Sequence, residues 1–243
     1  MCTLLVALET WSEWPLIIAA NRDEQLDRPS RGPFLWDRSP CLVAPRDELA
    51  GGSWLGVNAQ GLFVGITNRA GVAVEANRRS RGALVIDALG AESARALHAR
   101  LSRLDPRAHN AFHLFYADRG GAFLTVSDGE ALTQSELSPG VHVITERSAP
   151  PLVSPRARRV LDNWERSIVR HSAPDPKTFA AILGDHEGQP EAPCVHVPAK
   201  NYGTRSAAIL FLSDELPRSR LFWAEGPPCR TPFEDRSDLL AAL

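Results

Sequence analysis

The strongest constraint on this chain is the order of its segments: strand-like runs come in adjacent pairs joined by turns, and helix-like runs are gathered in two blocks. Thr3 to Leu8 and Pro15 to Ala20 are apolar runs of strand length, separated by the polar and aromatic stretch Glu9 to Trp14, which predicts a hairpin. Both runs are almost continuously apolar, so both faces are expected to be covered. A second hairpin is predicted from Gly51-Gly52-Ser53-Trp54-Leu55-Gly56-Val57, the turn Asn58 to Gly61 and the run Leu62 to Thr67. Ser80 to Leu89 and Ala91 to Leu104 follow with helical spacing, Leu84, Val85, Ala88 and Leu89 recurring at three and four. Phe112 to Ala117 and Ala122 to Val126 form a third hairpin, and Val141 to Thr145 is a further strand. Pro155 to His171 and Lys177 to Leu183 are the second helical block, with the stripe Val160, Leu161, Trp164 and Ile168, and Gly184 to Pro198 reads as a loop. Ala207 to Leu212 and Leu221 to Ala224 close the chain with a last hairpin. Pro29 to Leu49, with four prolines and mixed charge, reads as a long loop.

This order lacks the regular strand–helix alternation of a doubly wound sheet. Hairpins imply mainly antiparallel sheets, and two helical blocks suit two sheets each covered from outside. The expected class is therefore α+β, a four-layer αββα sandwich of mainly antiparallel sheets. No repeat or linker divides residues 1–243, so a single domain is expected.

Composition removes several functions. A hydrophobic content of 44% is enough to fill a core and too high for a disordered chain. A formal net charge of −2 offers no broad field for nucleic acid. Cys2, Cys41, Cys194 and Cys229 are far apart with no C-x-x-C pair, which reads as reduced and cytoplasmic rather than as a disulfide scaffold. The N-terminus has no basic region and Glu9 interrupts its apolar run, so no signal peptide is expected. No stretch approaches the roughly 20 apolar residues that span a bilayer.

Cys2 is the leading candidate for chemistry. Cysteine is small enough for an initiator methionine before it to be removed, which leaves a thiol and a free α-amine on one carbon. Their ordinary pKa values, about 8.5 and 7.7–8.0, let the amine act as a built-in base. The first hairpin brings Cys2 beside Asn21-Arg22-Asp23-Glu24. A carboxylate there would hold the amine, and a guanidinium would favour thiolate.

Met1-Cys2-Thr3, Ala20-Asn21-Arg22-Asp23-Glu24, Arg28-Pro29, Arg46-Asp47, Gly51 to Gly56, Thr67-Asn68 and Tyr202-Gly203-Thr204-Arg205-Ser206 together resemble the NRDE family, that of the transport-and-Golgi-organisation protein two. The resemblance implies an N-terminal nucleophile hydrolase-like αββα fold. More remotely, the N-terminal half is similar to penicillin V acylases, bile salt hydrolases and acyl-CoA:isopenicillin acyltransferases. Carried over from those enzymes, Cys2 is the nucleophile, Asp23 the carboxylate ending the second strand, and Asn68 the amide that helps form the oxyanion hole. Asn68 follows a strand after a glycine turn, and its side chain can donate to an oxyanion. Arg205 falls where the acylases place an arginine near the nucleophile; its other reading is a strand-start charge paired with a carboxylate. Two departures stand out. The acylase arginine three residues before the aspartate is Ala20 here, and Arg22, directly before Asp23, is expected to point to the opposite face. A later acylase asparagine is replaced around Glu146, which as a carboxylate only accepts hydrogen bonds.

Asn21, Arg22, Trp54, Asn201, Tyr202 and His196 are expected to line the substrate pocket, with Trp11, Trp14 and Trp36 joining Trp54 as an apolar wall around Cys2. Cys194 and His196 form a close pair, but no second pair has metal-ligand spacing, so no metal is expected. The resemblance also links the family to haem trafficking and makes His196 a candidate haem ligand. The runs Arg78-Arg79-Ser80-Arg81 and Arg156, Arg158, Arg159 read as solvated faces, the first also suiting an acyl-CoA phosphate or haem propionate at a helix start. Two functions follow: a thiol hydrolase or acyltransferase acting on an amide or thioester of a small apolar substrate, with no required cofactor, or a non-catalytic carrier of haem or acyl-CoA.

Overall fold

The computed structural model describes residues 2–168 and 174–243. Met1 and the predicted helical extension to His171 lie outside the described residues. In chain order the first six strands are β1 (Cys2–Trp11), β2 (Trp14–Gln25), β3 (Ser30–Trp36), β4 (Leu42–Asp47), β5 (Leu55–Asn58) and β6 (Phe63–Asn68). Helices α1 (Arg81–Ala88) and α2 (Ala94–Leu101) precede β7 (Phe112–Asp118), β8 (Gly121–Ser127), β9 (Leu132–Glu136) and β10 (Gly140–Thr145). Helices α3 (Pro155–Ile168) and α4 (Pro176–Gly184) precede β11 (His196–Val197), β12 (Tyr202–Leu212), β13 (Arg220–Ala224), β14 (Glu234–Asp235) and α5 (Asp238–Ala241). The chain divides into two compact units, each built on one seven-stranded sheet.

The first unit comprises Met1–Arg28, Pro139–Ser213 and Ser219–Ser237. Its sheet runs β10-β1-β2-β12-β13-β14, with β11 paired to β12, and all of its pairings are antiparallel. Alternation along the strands decides what each residue meets. Leu5, Ala7, Ile17, Ala19, Ala207, Ile209 and Phe211 share one buried cluster with Val160 and Trp164 of α3 and Phe179 of α4, so odd positions of β1 and β2 face these helices. Leu4, Ile18 and Ala20, on the other face, are buried as well. That two-sided burial is why the sequence runs apolar without alternating.

The second unit comprises Pro29–Ser138, Asp214–Arg218 and Asp238–Leu243. Its sheet runs in sequence order from β3 to β9, an antiparallel meander. One face packs on α1 and α2 through Leu42, Val64, Leu114, Leu84, Val85 and Leu97. Ser80 and Ser93 cap these helices, accepting from the backbone N–H of Gly82 and Ala96. The predicted loop Pro29 to Leu49 is in fact β3 and β4. Pro33 falls within the register shift between Arg31 and Phe34 on the edge strand, a position where a strand tolerates proline. Among the described residues no helix is long and apolar enough to cross a membrane.

Candidate active site

The β1–β2 register pairs Cys2 with Arg22 and Thr3 with Asn21. Directly paired residues of antiparallel strands project to the same face. Cys2, Ala20 and Arg22 therefore share one face, while Asn21 and Asp23 share the helix-covered face. This corrects the expectation for Arg22. Offsets of one and three before Asp23 are both odd, so Arg22 lies on the face of Ala20, and that is also the face of Cys2. The Arg22 guanidinium lowers the pKa of the Cys2 thiol, as do the amino terminus and the N–H of Asp23. Burial is the largest influence and pushes that pKa up, helped by the negative charge of Asp23.

Asp23 is buried and held from three directions. Thr204 Oγ1 donates to its Oδ1 at 2.7 Å, Arg156 Nη1 lies 3.3 Å from its Oδ2, and Tyr202 donates its phenol to the Asp23 carbonyl at 3.0 Å. Burial pushes the Asp23 carboxyl up to about 6 against the opposing amino terminus, Arg156 and Thr204. Burial and the nearby negative charge of Asp23 push the Tyr202 phenol up, so it stays a neutral donor.

A β-bulge makes this arrangement work. Thr204 pairs with Asp23 and Ser206 with Arg22, so Arg205 is the extra residue. Without it Thr204 and Ser206 would share a face; with it Thr204 turns to Asp23 and Ser206 to the side of Arg22. Arg205 itself pairs with Glu225, Nη1 to Oε1 3.0 Å, which is the second of its two expected readings.

Sequence reasoning missed Arg156. Its run was expected to be a solvated face, yet Arg156 is 3% exposed because it opens the apolar stripe of α3, four residues before Val160 and eight before Trp164. Its Nη1 also lies 3.5 Å from Glu146 Oε2, and its Nη2 donates to the Pro190 carbonyl at 2.8 Å. One guanidinium thus holds Asp23 and Glu146 together. Helical spacing was the signal that would have exposed it. Arg159 engages Asp185 with two nitrogens at 2.7 and 2.8 Å.

The remaining predicted pocket residues scatter. Asn21 is buried, and its amide nitrogen donates to the Leu183 and Pro193 carbonyls at 3.0 and 2.9 Å, tying β2 to the end of α4 and to the segment that follows it. Asn201 takes the left-handed conformation at φ 48°, one that asparagine tolerates, and its carbonyl accepts from Leu26. The proposed tryptophan wall is overturned for two members. Trp11 and Trp14 lie at the turn of the hairpin, the opposite end of β1 from Cys2, about 30 Å along the strand, and pack on Trp164 and Phe211. Trp54 packs against the helix-covered core of the second unit. Asn68 ends β6 in that unit, paired with Phe112 and exposed. Arg78 does not wait for an anion: it donates to the His109 and Gly129 carbonyls and pairs with Glu75.

His196, the candidate haem ligand, is packed among protein groups. Its Nε2 faces Cys194 Sγ at 3.5 Å and Cys229 Sγ at 3.2 Å, and its Nδ1 accepts from Arg230 at 2.9 Å. Both ring nitrogens are thus engaged by protein atoms.

The model of the Transport and Golgi organisation 2 family matches residues 1–221. The chain belongs to that family. Curated homologues of the Transport and Golgi organisation 2 protein include those of Bos taurus, 31% identical over 42% of this chain and 38% of the homologue, and Mus musculus, 30% identical over 48% and 42%. The matches thus span about two fifths of the length of these relatives. Solved structures supply the fold. Penicillin V acylase from Agrobacterium tumefaciens is 12% identical with a TM-score of 0.59, over 99% of this chain and 88% of that one. The C2A mutant of the conjugated bile acid hydrolase from Clostridium perfringens is 11% identical with a TM-score of 0.64, over 99% and 94%. An N-acylethanolamine-hydrolyzing acid amidase orthologue from Caenorhabditis elegans is 15% identical with a TM-score of 0.58, over 86% and 92%. The fold class read from the sequence, that of the αββα N-terminal nucleophile hydrolases, is the one these likenesses share.

Proposed function

We propose that this family member is an N-terminal-cysteine hydrolase or acyltransferase acting on the amide or thioester of a small, largely apolar substrate, and that residues 1–243 work as one functional domain. The observation that carries the reading is the buried Asp23 carboxylate, fixed by Thr204 and Arg156 near the end of β2, at the open end of the hairpin whose first residue is Cys2. Removal of Met1 gives Cys2 a free amine. The thiol attacks the substrate carbonyl while the amine takes its proton, then delivers it to the leaving amine or thiol. Burial disfavours a free thiolate at Cys2, so proton transfer has to accompany attack. Asp23 orients the ammonium, and Arg22 adds positive charge on the thiol's face. The acyl group passes from Cys2 to water or to a second acceptor. Asn68 is assigned to the oxyanion on the strength of the family resemblance. The named acylase and hydrolase neighbours support the reaction class, one of them a mutant at a second-position cysteine.

The test is intact-mass analysis of the full chain with an activated acyl ester. A single acyl adduct on a chain lacking Met1, absent in Cys2→Ala, supports the proposal. A wild-type chain that retains Met1, or that forms no adduct, ends it.

A further inference from the structure

Separately from the Cys2 site, three potential ligands converge where the segment after α4 meets the turn after β13. Cys194 Sγ, His196 Nε2 and Cys229 Sγ all lie within 4.8 Å of one another. The sequence joined only the first two, since Cys229 arrives from a separate loop. We propose that Cys194, His196 and Cys229 form a binding site for one zinc ion.

Zinc bonds of ~2.3 Å to sulfur and ~2.0 Å to nitrogen, held at a tetrahedral angle, set N···S edges of about 3.5 Å. The two edges in the structure are 3.5 and 3.2 Å, so only small adjustments separate these atoms from a coordination shell. Two thiolates and an imidazole make a donor set that suits zinc and excludes calcium or magnesium. The fourth position belongs to water or an added ligand: Cys229 and His186 line a surface cleft of about 400 Å³, which supplies the entry path. His186 stands beside the site, its ring 5.9 Å from that of His196.

Two features set the conditions for binding. Cys194 is fully buried, and zinc takes cysteine as thiolate, so the ion has to displace a proton from each thiol and uptake strengthens with pH. Arg230 donates to Nδ1 of His196, which in the metal-free chain puts the imidazole proton on Nε2, aimed at the sulfurs. The ion replaces that proton, the ring proton moves to Nδ1, and the exposed Arg230 swings into water. Arg230 is thus a brake on metal uptake.

The experiment uses the full chain in a Cys2→Ala background, reduced, stripped with chelator and titrated with Co²⁺, followed by Zn²⁺ displacement. One equivalent of cobalt with a thiolate-to-cobalt charge-transfer band, bleached by zinc, is expected. Cys229→Ser, which alters a half-buried residue, should abolish the band and weaken zinc binding by at least ~100-fold, more than the loss of a surrounding partner typically does. Arg230→Gln should tighten binding, and Cys41→Ser should leave it unchanged. A titration without the band, or one that Cys229→Ser leaves intact, overturns the proposal. So does a reduced protein that takes no metal but whose two thiols close into a disulfide on oxidation.

Discussion

Arg156 is the residue on which the candidate site depends most. It is buried between Asp23 and Glu146, and removing a buried ion's partner costs about 3–5 kcal/mol because the remaining charge has no compensation. Arg156→Met is therefore expected to destabilise the fold by that amount in chemical denaturation, whereas Arg205→Ala, which breaks a partly exposed pair with Glu225, should cost under about 1 kcal/mol. Thr204 has a different effect. Its hydroxyl donates to Asp23 and lowers that group's pKa, so Thr204→Val should move the Asp23 titration above about 6. If acylation of Cys2 needs the carboxylate, its rate falls as pH drops through about 6 in wild type, and at higher pH in Thr204→Val. A pH profile of adduct formation measures both. An unshifted acid limb would separate Asp23 from the chemistry.

At the scale of elements, the glycine pair before Trp54 illustrates how far the sequence could be read. It was legible as a strand entry, but its reason lies in the tertiary structure. A Cβ on Gly52 would stand 2.2 Å from the Gly82 carbonyl carbon at the start of α1, and Ser53 N–H donates to the Gly82 carbonyl at 3.1 Å. Backbone meets backbone there, so Gly52→Ala should destabilise by several kcal/mol, at the upper end of point mutants, with thermal melting as the check. The hairpins, helices and Cys2–Arg22 proximity were readable because apolar runs and turn residues act locally. Strands β3, β4, β9, β11 and β14 were not, since on short, polar or proline-bearing segments pairing decides the conformation. The bulge at Arg205 was equally hidden: nothing in Tyr202-Gly203-Thr204-Arg205-Ser206 marks the extra residue until Asp23 and Arg22 are set against it. Cys229 joined Cys194 and His196 only through the packing of separate loops.

For the molecule as a whole, Asp23 links stability to pH. Its folded pKa of about 6 exceeds the ordinary 3.8, so between those values the folded chain binds a proton that the unfolded chain lacks. Stability from this group therefore rises as pH falls from about 6 to about 4, by up to ~3 kcal/mol. Asp185 acts in the opposite direction, its pKa held down by Arg159 and Asn163 against burial. The comparison that isolates Asp23 is wild type against Asp23→Asn: the wild type should gain on the variant as pH drops through this window, and parallel denaturation curves would refute it.

The strand order has a consequence for the living chain. β2 lies between β1 and β12, so a partner of the opening hairpin is encoded near residue 202. A ribosome adding ~5–20 residues each second leaves that hairpin waiting on the order of 10–40 s with one side unzipped. Arg156 and Thr204, which close around Asp23 in the finished fold, do not yet exist during this interval.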